Sequence, residues 1–192
     1  MARMCGRYAA SRRPEDLAGI FEIEKWEPEE TLEPDYNVAP TKEVYAVLDR
    51  PLKDVEDPRP VRQLRKLKWG LVPSWSKTPE GSARMINARA ETVHEKPSYK
   101  RAFATRRCII PADGPRSLVD IHPRMPLMLT PDRWDTWLDP SRTDLDDLRS
   151  LLAPPPEGLM RAYPVSTAVS NVRNNGPELL KELEGPEEGT LF

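Results

Sequence analysis

Residues 36–48, Tyr-Asn-Val-Ala-Pro-Thr-Lys-Glu-Val-Tyr-Ala-Val-Leu, hold two short apolar runs, Tyr36 to Ala39 and Glu43 to Leu48, divided by Pro40 and Thr41. β-branched and aromatic residues favour a pleated strand and proline interrupts one, so the stretch reads as two short strands joined by a turn. Downstream, Arg50 to Pro60 is rich in proline and acids and reads as a loop, and Leu64 to Val72 is a further strand that ends at Gly70 and Pro73. Cys108 to Ile110, Met125 to Leu129 and Ala162 to Ala168 are also strand-like, and Asn174-Asn175-Gly176 is a turn. Helical spacing predicts Pro14 to Ile23, Pro97 to Thr105 and Leu145 to Leu152. Thr130-Pro131-Asp132 opens another helix that carries Trp134, Trp137 and Leu138. Short strands with a few short helices predict an α+β fold with a mixed, mostly antiparallel sheet.

The chain has 192 residues, which fits one domain, and its 22 prolines are spread among apolar segments and punctuate short elements. Charged residues make up 31% and apolar ones 38%, a balance that excludes a membrane protein. Residues 1–13 contain no apolar core of a signal peptide, so a cytoplasmic location is expected. Two cysteines, Cys5 and Cys108, and two histidines, His94 and His122, give neither a disulfide framework nor zinc spacing. No metal and no cofactor is expected.

The net charge of -2 conceals an asymmetry. Between Arg59 and Arg107 stand thirteen Lys or Arg against three acids, Glu80, Glu91 and Glu95, while the remainder of the chain is acidic. A single basic run is usually a solvated face. This one is interleaved with Trp69, Trp75, Tyr99 and Phe103, a combination suited to a phosphate backbone with stacked bases.

Met4-Cys5-Gly6-Arg7-Tyr8 carries a second chemical signal. If Met4 were the start and were removed, Cys5 would become the amino terminus, joining an amine of pKa ~8 to a thiol of pKa ~8.5. Such an aminothiol condenses with an aldehyde to an imine and closes to a thiazolidine. Met1-Ala2-Arg3 precede it, so that chemistry requires an internal start or cleavage. Otherwise Cys5 is a buried, inert residue of a first strand.

Six blocks occur in order: Cys5-Gly6-Arg7-Tyr8, Tyr36 to Pro40, Trp69 to Trp75, Asn87 to Thr92, Arg107 to Gly114 and Ile121 to Pro126. Together they resemble the SOS-response-associated peptidase (SRAP) family, whose members shield abasic sites in single-stranded DNA through a covalent link to an N-terminal cysteine. The resemblance implies a barrel-like, mostly antiparallel core with short flanking helices, and a single domain over residues 4–192. It implies that Cys5 is the nucleophile, that Asn87 orients the amine or the sugar, and that His122 shuttles protons. It further implies that Arg7, Arg89 and Arg124 contact phosphate, and that Pro40 and Trp69 support flanking bases. Glu91 would pair with one of those arginines. Read without the resemblance, Arg7 is a surface arginine, Asn87 a turn residue, and Trp69 and Pro40 core and turn; His94 is expected to be exposed.

The resemblance breaks after Gly114. The family continues with an aromatic-rich segment that includes a glutamate acting as acid or base beside the cysteine. Here only Pro115 to Asp120 intervene before Ile121, an apparent internal deletion that would remove central strands. The expected function is an abasic site processing protein, with peptidase-type removal of the leader and lyase-like crosslinking. The expected partner is single-stranded DNA containing abasic sites, bound by a monomer. Two other readings stay open: a non-covalent DNA-binding module, and an N-terminal-cysteine hydrolase of small amides.

Overall fold

In the computed structural model of the chain, the described residues are 6–27, 29, 31–52, 56, 58–113, 126–154 and 163–183. Their architecture is α+β. Strand β1 (Tyr8–Ala10) is followed by helix α1 (Pro14–Phe21), β2 (Asp35–Val38), β3 (Glu43–Pro51), β4 (Pro60–Lys68), α2 (Pro97–Thr105), α3 (Trp134–Leu138) and α4 (Leu145–Ser150). Strands β1 and β2 pair antiparallel with an irregularity between Tyr8 and Ala10. Strands β3 and β4 form a longer hairpin in unbroken register, from Glu43 opposite Lys68 to Pro51 opposite Pro60.

The hairpin reaches further into the proline-rich segment than the sequence suggests. Pro51 and Pro60 face each other at its last pair, where a missing N–H ends the ladder without leaving a gap inside it. At the other end the expected strand stops at Lys68, because Gly70 turns the chain with φ +133°. Beyond β3 lies only a single antiparallel bridge, in which Val47 and Ile109 exchange both backbone hydrogen bonds at 2.8 Å. The next position that could pair in this way is Pro111, which has no N–H to donate. Cys108 to Ile110 is therefore a bridge, not a strand. Among the described residues the strands form two separate pairs, and the expected barrel-like closure is not found.

Val44, Tyr45, Ala46 and Val47 are buried in succession, so β3 is covered on both faces. Tyr45, Val47 and Leu64 of the hairpin pack with Leu17 and Phe21 of α1 and Leu138 of α3, and Trp134 and Trp137 close over the cluster. The Phe21 and Trp134 rings lie 4.4 Å apart. Arg62 fastens hairpin to helix by donating to both oxygens of its cross-strand partner Asp49, at 3.0 and 3.1 Å, and to Asp135 of α3 at 2.8 Å.

The C-terminal segment departs from its expected form. Within Ala162 to Ala168 the described residues form no strand, and Thr167–Ser170 is a 3-10 helix. The reason lies in its partners. Asn37 is 1% exposed, and its amide nitrogen donates to the carbonyls of Val169, Asn171 and Asn174 at 3.0–3.1 Å. Its side-chain oxygen accepts from Arg7 at 3.1 Å, and the same guanidinium donates to Val169 and Ser170 carbonyls at 2.6 and 3.1 Å. Within the expected strand itself, the Ser166 hydroxyl accepts from Ala168 N–H and caps the 3-10 turn, and the Asn174 amide donates to the Ala168 carbonyl.

Removing the Asn37 amide would take the shared donor from the part-buried Asn171 and Asn174 carbonyls and one of the acceptors from Arg7, which keeps its bonds to Val169 and Ser170, a loss of ~1–3 kcal/mol. Asn37→Ala is therefore expected to lower the urea midpoint with an unchanged slope, as followed by circular dichroism.

Candidate nucleic-acid interface and active site

Three segments converge on Trp69. The turn at residues 39–42 is pinned to it by Thr41 N–H to Trp69 carbonyl and by Trp69 N–H to Lys42 carbonyl, both 2.9 Å. Thr41 takes a left-handed conformation with φ 72°, which completes this turn around Pro40. The indole N–H donates to the Ile86 carbonyl at 3.3 Å, and the ring meets Tyr8 edge-on at 5.1 Å. Leu71 N–H donates to Met85 carbonyl at 3.1 Å, drawing residues 85–87 alongside. The Tyr99 hydroxyl of α2 then donates to the Asn87 carbonyl at 3.0 Å. Pro40, Trp69 and Asn87, singled out separately in the sequence, are thus held in one neighbourhood, each half-buried.

Gly70 makes this approach feasible. A Cβ there would stand 2.6 Å from the Ser82 carbonyl oxygen, and φ +133° already disfavours a side chain. Asp113, at the end of the Arg107 to Gly114 block, is tied to the first strand. Its N–H donates to Ala9 carbonyl at 2.8 Å and its carboxylate accepts from Ser11 N–H. The break in the resemblance therefore begins beside β1.

Arg7 faces the C-terminal segment, where two arms of its guanidinium are engaged. Arg89 is exposed, and no ion pair joins it to Glu91 or to any other described carboxylate; Glu91 is likewise exposed and outside every described ion pair. Cys5, His122 and Arg124 lie outside the described residues. His94 departs from expectation: its side chain is 12% exposed, Nε2 lies 3.3 Å from Glu95, and Nδ1 is buried without a partner.

The structure sorts the basic stretch into two populations. Arg59, Arg62 and Lys66 are ion-paired. Arg107 is buried, with its guanidinium donating to carbonyls of Phe103, Ala104, Trp137 and Asp139 at 2.6–3.0 Å, and burial pushes its pKa down. It closes the C-terminal end of α2. In contrast Lys68, Lys77, Arg84, Arg89, Lys96, Lys100, Arg101 and Arg106 are all exposed, and none forms an ion pair among the described residues. Trp75, 68% exposed, stands in the same stretch. Exposed cations without acid partners and an exposed indole thus fall in one stretch of the chain, the residue types that a polyanion engages.

Two groups escaped the sequence reading as members of the site. The Tyr8 hydroxyl is buried without a hydrogen-bond partner among the described residues, and burial, with Asp35 and Cys108 adding to it, pushes its pKa well up. Burial also raises the Cys108 thiol, which disfavours its thiolate and leaves it a poor nucleophile. Only the adjacency of Tyr8 to Cys5 could have drawn attention to it. Among the described residues no cluster of His, Cys, Asp or Glu could hold a metal, and no helix is long and apolar enough to cross a membrane.

Comparison with known proteins bears on the chain as a whole. The profile of the SOS response associated peptidase (SRAP) family matches residues 4–114 and 115–172. The chain is 34% identical over 230 residues to the abasic site processing protein YoqW of Bacillus subtilis (strain 168), covering 93% of this chain and 99% of YoqW. It is 26% identical over 235 residues to the abasic site processing protein YedK of Escherichia coli (strain K12), with coverage of 93% and 99%. A crystal structure of a protein from Bacteroides thetaiotaomicron superposes with a TM-score of 0.73 at 18% identity, over 94% of this chain and 100% of the other, a likeness of fold.

Gly70→Ala would force the Ser82 backbone away while holding alanine in a disfavoured conformation. A loss on the order of 1–3 kcal/mol is expected in thermal or urea unfolding. Gly81→Ala, where nothing lies within 4 Å, meets only the backbone part of that penalty and serves as the comparison.

Proposed function

The chain belongs to the SOS response associated peptidase family, and from that premise we propose that it processes abasic sites in single-stranded DNA by forming a covalent crosslink through Cys5. The observation that carries the DNA half of this reading is the set of cations between Lys68 and Arg106 that are exposed and form no ion pair among the described residues, in the stretch of chain that holds Trp69 and Asn87. The names of the relatives support the abasic substrate.

In the proposed sequence, cleavage before Cys5 frees its amine. The amine attacks the aldehyde carbon of the ring-opened deoxyribose, and the carbinolamine loses water to give an imine. The thiol then adds to the imine carbon, its proton passing to nitrogen, and the thiazolidine closes. His122 carries protons at the carbinolamine and imine steps, because an imidazole titrates near neutrality. Asn87 orients the sugar or the amine by hydrogen bonds. Arg89 and Arg124 hold phosphates, Pro40 and Trp69 support neighbouring bases, and Arg7 contributes chiefly by fixing the chain two residues after Cys5.

An internal deletion after Gly114 fits two observations. The family match is divided between Gly114 and Pro115, and the alignment to YoqW is longer than this chain, so YoqW has residues with no counterpart here. The segment that would supply the family glutamate is the missing one, which leaves the proton traffic to His122.

The intact mass of the purified protein should lack residues 1–4; a retained Arg3-Met4 would leave the Cys5 nitrogen as an amide and end the thiazolidine mechanism. On a denaturing gel with an abasic oligonucleotide, Cys5→Ala should abolish the crosslink and leave affinity for an intact strand nearly unchanged. His122→Ala should slow crosslinking by about 10²–10⁴-fold. Crosslinking that survives Cys5→Ala would assign the bond to another nucleophile.

Binding to an intact single strand should weaken with salt, each neutralised phosphate adding about -0.7 to the slope of log affinity against log salt. Arg89→Ala should make that slope shallower by about 0.7 in fluorescence anisotropy titrations.

A further inference from the structure

We propose that the outward face of α2, carrying Lys96, Lys100 and Arg101, binds the phosphate backbone of a single DNA strand beyond the abasic nucleotide. The inference rests on the DNA reading above and adds a surface to it.

Helix α2 has the sequence Pro-Ser-Tyr-Lys-Arg-Ala-Phe-Ala-Thr, without an acid, and Lys96 precedes it as the N-cap. Cations over the first turns oppose the helix dipole, and Lys96 and Lys100, four apart, repel one another. Both effects disfavour the free helix, and both are relieved by a polyanion. The Tyr99/Phe103 stripe is already committed: Phe103 is buried against Trp137 at 5.9 Å, and Tyr99 reaches the Asn87 carbonyl, which leaves Lys100 and Arg101 on the remaining surface and Lys96 exposed at the N-cap. The helix is thereby fixed with its three cations exposed, one side chain away from Asn87.

A groove of about 390 Å³ runs between α2 and α4, with Lys100 and Arg101 on one wall and Thr143 and Leu145 on the other. The acids of α4 do not fill it with a neutralising partner. Asp144 accepts the N–H groups of Asp146 and Asp147 as a helix cap, Asp146 pairs with Arg149 at 3.1 Å, and Asp147 pairs with Arg142 at 2.5 Å. The groove is open, cationic on one side and continuous with a helix fastened to Asn87, so a strand held at Asn87 has an electrostatic track to follow.

The test compares the double variant Lys100→Ala/Arg101→Ala with the parent on single-stranded oligonucleotides carrying a central abasic analogue that cannot ring-open. One is about 6 nucleotides long and one about 20, spanning the range of single-strand site sizes. On the longer strand the variant should lose about 1.4 from the salt slope, two phosphates at about 0.7 each, with no change on the shorter. Lys100→Arg should retain the parent slope. An unchanged slope on the long strand would overturn the α2 surface and leave the DNA reading standing. Equal losses on both strands would place these cations at the abasic nucleotide, overturning the assignment beyond it. A parent slope near zero on both strands would overturn the DNA reading, and the α2 surface with it.

Discussion

One buried amide ties the two ends of the chain together. Asn37 donates to three carbonyls between residues 169 and 174 and accepts from Arg7, which itself reaches two of the same segment's carbonyls. A buried amide left unmatched is costly, so this arrangement specifies a single position for the C-terminal segment against β2. Flanking contacts reinforce it: Tyr36 N–H donates to the Asn175 side chain at 2.8 Å, and Asn175 donates back to Pro34 at 3.1 Å. The first strand, and hence the chain just after Cys5, is held by residues more than 160 positions away.

Charge follows the same division between internal scaffolding and outward function. Arg62 and Arg107 belong to one basic stretch in sequence, yet one bridges the hairpin to α3 and the other closes α2 from within. Arginine suits such posts because its forked donors satisfy several acceptors at once. The cations that remain outside are those without acid partners among the described residues. Their mutual repulsion reduces stability in the free protein, and a phosphate backbone is the partner that would reverse its sign.

The α+β class and most elements were legible in the sequence, because hydrophobic spacing and proline placement act locally. Helix α2 has the predicted bounds, Pro97 to Thr105, since proline at its first position and the Tyr99/Phe103 pair need no tertiary context. The strand at Leu64 to Val72 was displaced, because the bend at Gly70 is dictated by close approach to Ser82 and not by composition. Cys108 to Ile110 became a single bridge for want of an N–H at Pro111. Ala162 to Ala168 looked apolar enough for a strand, but its continuation serves Asn37, a partner that periodicity cannot reveal. Among site residues, the grouping of Pro40, Trp69 and Asn87 came from ordered motifs, whereas the engagement of Arg7 and the enclosure of His94 depend on distant packing.

These supports differ in reach. Trp69, Pro40 and Asn87 are joined by contacts among residues 8–99, three between backbone atoms and three through the side chains of Tyr8, Trp69 and Tyr99. Arg7 and β1 are held in addition by the far C-terminal segment through Asn37, and by Asp113. The two sets of supports meet at β1, where Tyr8 packs against Trp69 and the preceding Arg7 is fastened to the C-terminal segment, so neither is independent of the other.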